Sequence, residues 1–210
     1  MTNTLIIGAS GQIGKMLTQR MLENEQAVTA LVRDKSKLAE LEHEKLTIIE
    51  ADLKDDFSHA FEHCTDVVFV AGSGGSTGAE QTLMIDLWAA VRAADYAKQQ
   101  RLKHFIMVSS IGANIPSSGP TDMQPYLIAK HMADEHLINS GLCYSIIRPG
   151  TLTDDNATGG FTSTRPEEKE QAVITREDVA AALHYRVNHR PHNSEITELF
   201  NGEERLEDIF

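Results

Sequence analysis

Tyr126 and Lys130 stand four residues apart in the run Tyr126-Leu127-Ile128-Ala129-Lys130, which puts a phenolic hydroxyl and an ammonium on one face of a helix. Such a pair can address one cleft together. Far upstream, Gly8-Ala9-Ser10-Gly11-Gln12-Ile13-Gly14 spaces three glycines between the apolar run Leu5-Ile6-Ile7 and an amphipathic stretch. In a strand–turn–helix of this kind the first glycine permits the tight turn and the second lets backbone approach a pyrophosphate. The third allows the helix to pack closely on the strand. The helix then presents free N–H groups and a positive dipole end to the phosphates.

A second apolar run, Val28-Thr29-Ala30-Leu31-Val32, ends at Arg33. An acidic residue there would accept bonds from the adenosine ribose of NAD, whereas a guanidinium suits the 2′-phosphate of NADP by charge and by its fork of donors. Lys35 and Lys37 thicken the positive patch, and Asp34 works against it. The expected cofactor is therefore NADP(H), with NAD(H) the alternative. After a third run, Asp52 and Leu53 fall where the adenine edge would lie, and Asp52 can also cap the next helix.

These residues need a parallel sheet to gather them. Short apolar runs alternate with longer amphipathic stretches, the pattern of a doubly wound α/β Rossmann fold. Strands are expected near 4–8, 27–33, 46–50, 66–71, 104–109, 143–148 and 195–200. Helices are expected near 12–23, 35–42, 56–62, 80–100, 124–140 and 176–188. Ser140-Gly141 supplies a helix stop, and Thr175 an N-cap to Asp178. The segments 72–78, 112–120 and 150–166 resist assignment. Each follows a strand, so the three should line one cleft at the carboxyl ends of the sheet.

The chain has 210 residues, 41% hydrophobic, which suits one domain with both sheet faces covered. It divides as a dinucleotide-binding core over 1–150 and a short substrate-side extension over 151–210. Its net charge is −12, with no basic stripe, which argues against nucleic acid as a partner. The two cysteines, Cys64 and Cys143, read as free thiols, and no Cys/His cluster suggests a metal. No apolar stretch nears the roughly 18–20 residues that span a bilayer. The amino terminus lacks the basic and apolar regions of a signal peptide, so a cytoplasmic location is expected.

The glycine turn, Ala51-Asp52-Leu53, Val70-Ala71-Gly72, Val108-Ser109-Ser110, the Tyr126/Lys130 pair and Ile147-Arg148-Pro149-Gly150 occur in the order seen in short-chain dehydrogenases/reductases. Over nearly its whole length the chain resembles their small atypical branch, described as NmrA-like, flavin-reductase-like or epimerase-like. The resemblance implies that Ser110 orients a substrate oxygen and Tyr126 donates or abstracts its proton. It further implies that Lys130 holds the nicotinamide ribose and makes the tyrosine a better acid. Ser110 is preferred to Ser109 because strand alternation and the family spacing place it at the mouth of the cleft. Ser109 then faces the core or meets the cofactor through its backbone. Ala71 and Gly72 would flank the cofactor, and Pro149, Gly150 and Thr151 would pass the nicotinamide. Thr151 departs from the glycine that relatives often carry.

The resemblance implies an NADP(H)-dependent oxidoreductase. Few residues follow Arg148 compared with sugar-nucleotide epimerases, so a small or flat acceptor is expected: a flavin, quinone or carbonyl compound. Two alternatives stand beside it: a redox-sensing module that acts through a protein partner, and an epimerase or isomerase using tightly held NAD. A monomer or a homodimer is expected, with helices 80–100 and 124–140 as the candidate contact.

Overall fold

In a computed structural model, which describes residues 2–75 and 77–210, eight strands form one sheet in the order β3-β2-β1-β4-β5-β6-β10-β8. The first six are β1 (Asn3–Ile7), β2 (Ala27–Val32), β3 (Leu46–Glu50), β4 (Asp66–Phe69), β5 (His104–Val108) and β6 (Tyr144–Pro149). β10 (Glu195–Asn201) joins them in parallel, and β8 (Phe161–Thr162) closes the edge in antiparallel pairing. A separate parallel pair joins β7 (Thr151–Thr153) to β9 (Val173–Thr175). The strand order reverses direction between β1 and β4, so the carboxyl ends of these strands splay into a crevice.

Successive side chains on a strand point to opposite faces, and here both faces are apolar. Ile6, Val68, Ile106 and Ile147 pack on one side against Leu17 and Met21 of α1 (Gln12–Glu23) and Val179 and Leu183 of α5 (Arg176–Asn188). Leu5, Ile7, Phe69 and Met107 pack on the other. Their partners include Ala90, Ala93, Ala94 and Ala97, whose small side chains let α3 (Ala90–Gln99) lie close to the sheet, and Leu137 of α4 (Gln124–Ile138). Fully burying each large apolar side chain contributes about 1.5–3 kcal/mol. α5 starts as its sequence suggests, with Thr175 Oγ1 accepting the Asp178 N–H at 2.9 Å. Leu83, Trp88, Ile128 and Met132 remain exposed.

Several expected elements need correction. The helices expected over 35–42 and 56–62 are only 3₁₀ turns, Lys35–Leu38 and Ser58–Phe61. Asp34 and Asp56 each accept the backbone N–H two residues on, at 2.9 Å, and these local turns compete with a longer helix. The helix expected over 80–100 is composite. A short α2 (Ala79–Gln81) passes into a π-helical stretch, Thr82–Ala89, before α3 begins. The segment 150–166 carries β7 and β8, and β9 follows it. No helix among the described residues is long and apolar enough to cross a membrane.

Candidate functional site

The glycine turn leaves β1 sharply because Gly8 has φ +91°, and a Cβ there would lie 2.7 Å from the backbone of Ala71. At Gly14 a Cβ would lie 2.3 Å from the Gly8 carbonyl, so that glycine seats α1 against the turn. Gly11 is the N-cap of α1; among the described residues no side chain caps this end, and no acidic residue sits in its first turn. Its free N–H groups and positive dipole end thus face an open space, which fits a pyrophosphate.

That space is a cleft of about 440 Å³. Gly8, Ser10 and Gly11 form its floor, Arg33, Asp34 and Lys37 one wall, and Asp52 and Leu53 another. Ala71, Gly72 and Ser73 continue it past β4, and Thr77, Gln81 and Ile85 cover it. The other expected residues of the turn lie elsewhere: Ala9 and Gly14 are buried, Ile13 packs on the core, and Gln12 is exposed. Arg33 and Lys37 are exposed, and among the described residues neither side chain has an ion pair or hydrogen bond. Asp34 accepts from Ser36 N at 2.9 Å and Ser36 Oγ at 2.6 Å. The Ser36 bonds hold its carboxyl below the ordinary aspartate range. Asp52 likewise accepts the Lys54 N–H, at 2.9 Å.

Two side chains that sequence reasoning passed over fix these walls. Buried Asp86, in the π-helical stretch, accepts the Ser73 N–H at 3.0 Å and so anchors the start of the glycine-rich loop. Arg92 donates to the carbonyls of Leu53 and Asp55, the latter at 2.9 Å, and lies over the Phe57 ring. Gln81 and Ile85 were also missed, although their four-residue spacing on a helix that follows a glycine-rich loop was a usable signal. The loop over 72–78 includes Ser76, which lies outside the described residues.

A second constellation sits at the carboxyl ends of β5 and β6. Ser110 is half-buried, its Oγ donating to the Ile111 carbonyl at 3.1 Å. Tyr126 is half-buried on α4, and Lys130, one turn later, is buried with Nζ donating to the Val108 carbonyl at 2.7 Å. Ser109 turns into the core instead, its Oγ donating to Asp134 at 2.8 Å. Arg148 donates to the same carboxylate oxygen. Burial pushes the Asp134 carboxyl up, opposed first by the Ser109 bond and then by the charges of Lys130 and Arg148. Pro149 is buried, and its carbonyl accepts the Ile111 N–H at 3.2 Å, which joins the two strand ends. Gly150 lies where a Cβ would meet the Ala172 carbonyl at 2.5 Å, so it is a packing position for β9. Thr151 is exposed, its N–H donating to Ala172 O at 2.8 Å. None of Ser110, Tyr126 and Lys130 lines the cleft above the glycine turn.

Comparison with known proteins gives a consistent picture. A family model described as NAD(P)H-binding matches residues 8–190. The protein named "Uncharacterized sugar epimerase YhfK" from Bacillus subtilis is 38% identical over 182 residues, covering 85% of this chain and 84% of its own. A solved structure described as a putative NAD-dependent epimerase/dehydratase from Bacillus halodurans superposes with a TM-score of 0.92 at 37% identity. It covers 100% of this chain and 98% of its own. The oxidoreductase ylbE from Lactococcus lactis superposes at 0.87 with 25% identity, over 99% and 94% of the two chains.

Proposed function

The chain belongs to the NAD(P)H-binding family, among the atypical short-chain dehydrogenases/reductases, and from that premise we propose that it is an NADP(H)-dependent oxidoreductase. Its acceptor is a small or flat molecule: a flavin, a quinone or a carbonyl compound. The observation that carries the cofactor choice is Arg33, a guanidinium at the end of β2 that lines the cleft and has no acidic partner among the described residues. Lys37 lines the same cleft, and the adjacent carboxylate, Asp34, is turned to Ser36. A 2′-phosphate placed there gains charge-assisted bonds without first breaking an ion pair.

The nicotinamide ring supplies or receives the hydride, and this chain supplies orientation and the proton. Ser110 would hold the acceptor oxygen, and the Tyr126 hydroxyl would give it a proton. Lys130, fixed on the Val108 carbonyl, would keep positive charge beneath the site.

Oxidation of NADPH followed at steady state with a panel of flavins, quinones and carbonyls tests the proposal. At least one acceptor should turn over, and Tyr126→Phe should lower that rate by a factor on the order of 10² or more. Turnover unchanged by Tyr126→Phe removes the proton-transfer role. Tight cofactor binding with no turnover of any acceptor favours the sensor or epimerase alternatives, the latter in keeping with the name of the Bacillus subtilis relative.

A further inference from the structure

Gln12 and Arg176 open α1 and α5, two helices that pack side by side and begin at the same rim of the sheet. Both donate to one oxygen of Asp154, Gln12 Nε2 at 3.1 Å and Arg176 Nη1 at 2.8 Å. Asp154 follows β7 directly, and its side chain is 71% exposed while that of Arg176 is 22% exposed. A solvent-facing carboxylate thus sits on two converging donors beside an α1 N-terminus that no side chain caps among the described residues. Exposed ion pairs of this kind are weak and give way to better partners. A pyrophosphate, with more charge and more acceptor oxygens, is a better partner for a guanidinium fork.

We propose that Asp154 is a place-holder anion, and that Arg176 and Gln12 transfer from it to the pyrophosphate of the bound dinucleotide. This makes Arg176 a cofactor-binding residue, and cofactor entry releases the exposed segment that follows β7. The proposal rests on the cleft above the glycine turn being the dinucleotide site. It predicts opposite signs for the two halves of the ion pair. Removing the guanidinium weakens dinucleotide binding, while neutralising the carboxylate strengthens it by abolishing a competitor. A fixed strap across the rim predicts the same sign for both, because either change would break it.

Calorimetric titration of the full chain with NADP⁺, NAD⁺ and 2′-AMP tests this, using wild type, Arg176→Gln and Asp154→Asn. Both side chains sit at the rim, and matching thermal midpoints would show that the variants fold. Arg176→Gln should weaken both dinucleotides about tenfold, the effect of one charge-assisted bond, and leave 2′-AMP, which lacks the pyrophosphate, unchanged. Asp154→Asn should tighten both dinucleotides severalfold, with the gain shrinking at high salt. Weaker binding in Asp154→Asn, or unaltered binding in Arg176→Gln, overturns the proposal. A wild-type chain that binds neither dinucleotide overturns the cofactor reading and this proposal with it, a failure visible before any variant is made.

Discussion

Arg148 rests its Nε and Nη2 on a single oxygen of Asp134, at 3.1 and 2.9 Å, a buried contact beneath the ends of β5 and β6. The same oxygen takes the Ser109 hydroxyl, while the other, Oδ1, is buried without a partner among the described residues. Three segments are tied by one carboxylate: the residue directly after β5 through Ser109, β6 through Arg148, and α4, which carries Asp134 itself. Ser110, Lys130 and Pro149 all hang from those three segments. The cluster therefore sets the relative placement of the groups assigned to proton transfer and to the nicotinamide.

Asp134→Ala should cost about 3–5 kcal/mol of stability, because it strands the Arg148 charge in the interior. Asp134→Leu combined with Arg148→Met should recover most of that loss by replacing the pair with apolar volume. Urea unfolding of the single and double variants measures both. A single variant that loses less than about 1 kcal/mol would show that water reaches Arg148 and relieves it.

Arg33→Ala should separate the two cofactors. Binding of NADPH should fall roughly 10- to 100-fold, the effect of one or two charge-assisted hydrogen bonds, with NADH binding nearly unchanged. Lys37→Ala should act in the same direction with a smaller effect, since an ammonium lacks the planar fork of donors. Fluorescence titration of both cofactors against both variants checks this, and equal losses for NADPH and NADH would remove Arg33 from the 2′-phosphate.

Acid should unfold the protein through His104. Its ring is buried at the start of β5, with Nε2 on Ser145 Oγ at 3.0 Å and Nδ1 without a partner among the described residues. Burial lowers its pKa from 6.5 to about 4; Asp66 opposes this, and the charges of Arg186 and Arg190 add to it. The unfolded chain binds the proton more readily than the folded one, so this contribution is complete above pH 6.5. It is lost as the pH falls towards 4, and a shift of that size amounts to about 3 kcal/mol. His104→Asn should flatten the dependence of the urea midpoint on pH between 6.5 and 4. A wild-type midpoint that stays level over that range would show that His104 is not the group responsible.

The sequence disclosed the sheet more fully than the site. Runs such as Leu5-Ile6-Ile7 and Phe105-Ile106-Met107 are apolar at every position because both sheet faces are covered, and that pattern is local. The cleft itself was legible where one chain segment makes it, in the glycine turn, and Arg33 lines it as well. Asp86, Arg92 and Asp134 were not legible, because each acts on a partner distant in the chain: Ser73, Leu53 and Arg148. The short turns after β2 and before β4 were misread as helices because the side chains of Asp34 and Asp56 decide them, not apolar periodicity. The π-helical stretch, Thr82–Ala89, had no signature at all in the apolar spacing.

The glycines of the turn should respond differently to the same small change. A Cβ at Gly14 would stand 2.3 Å from the Gly8 carbonyl and 2.9 Å from Ala9 Cα, both backbone atoms that cannot yield. Gly14→Ala should therefore push α1 off the sheet and lower the thermal midpoint by several degrees or more, in line with a cost of about 1–3 kcal/mol for overpacking. At Gly11 the nearest atom is the same carbonyl at 3.3 Å, a contact that a small shift relieves, and φ there is −73°. Gly11→Ala should fold with nearly the wild-type midpoint and yet lose dinucleotide binding, because the added methyl occupies the approach to the uncapped N–H groups of α1. Thermal melts paired with NADP⁺ titration separate the two effects. Full cofactor affinity in Gly11→Ala would mean that the pyrophosphate does not pass over that residue.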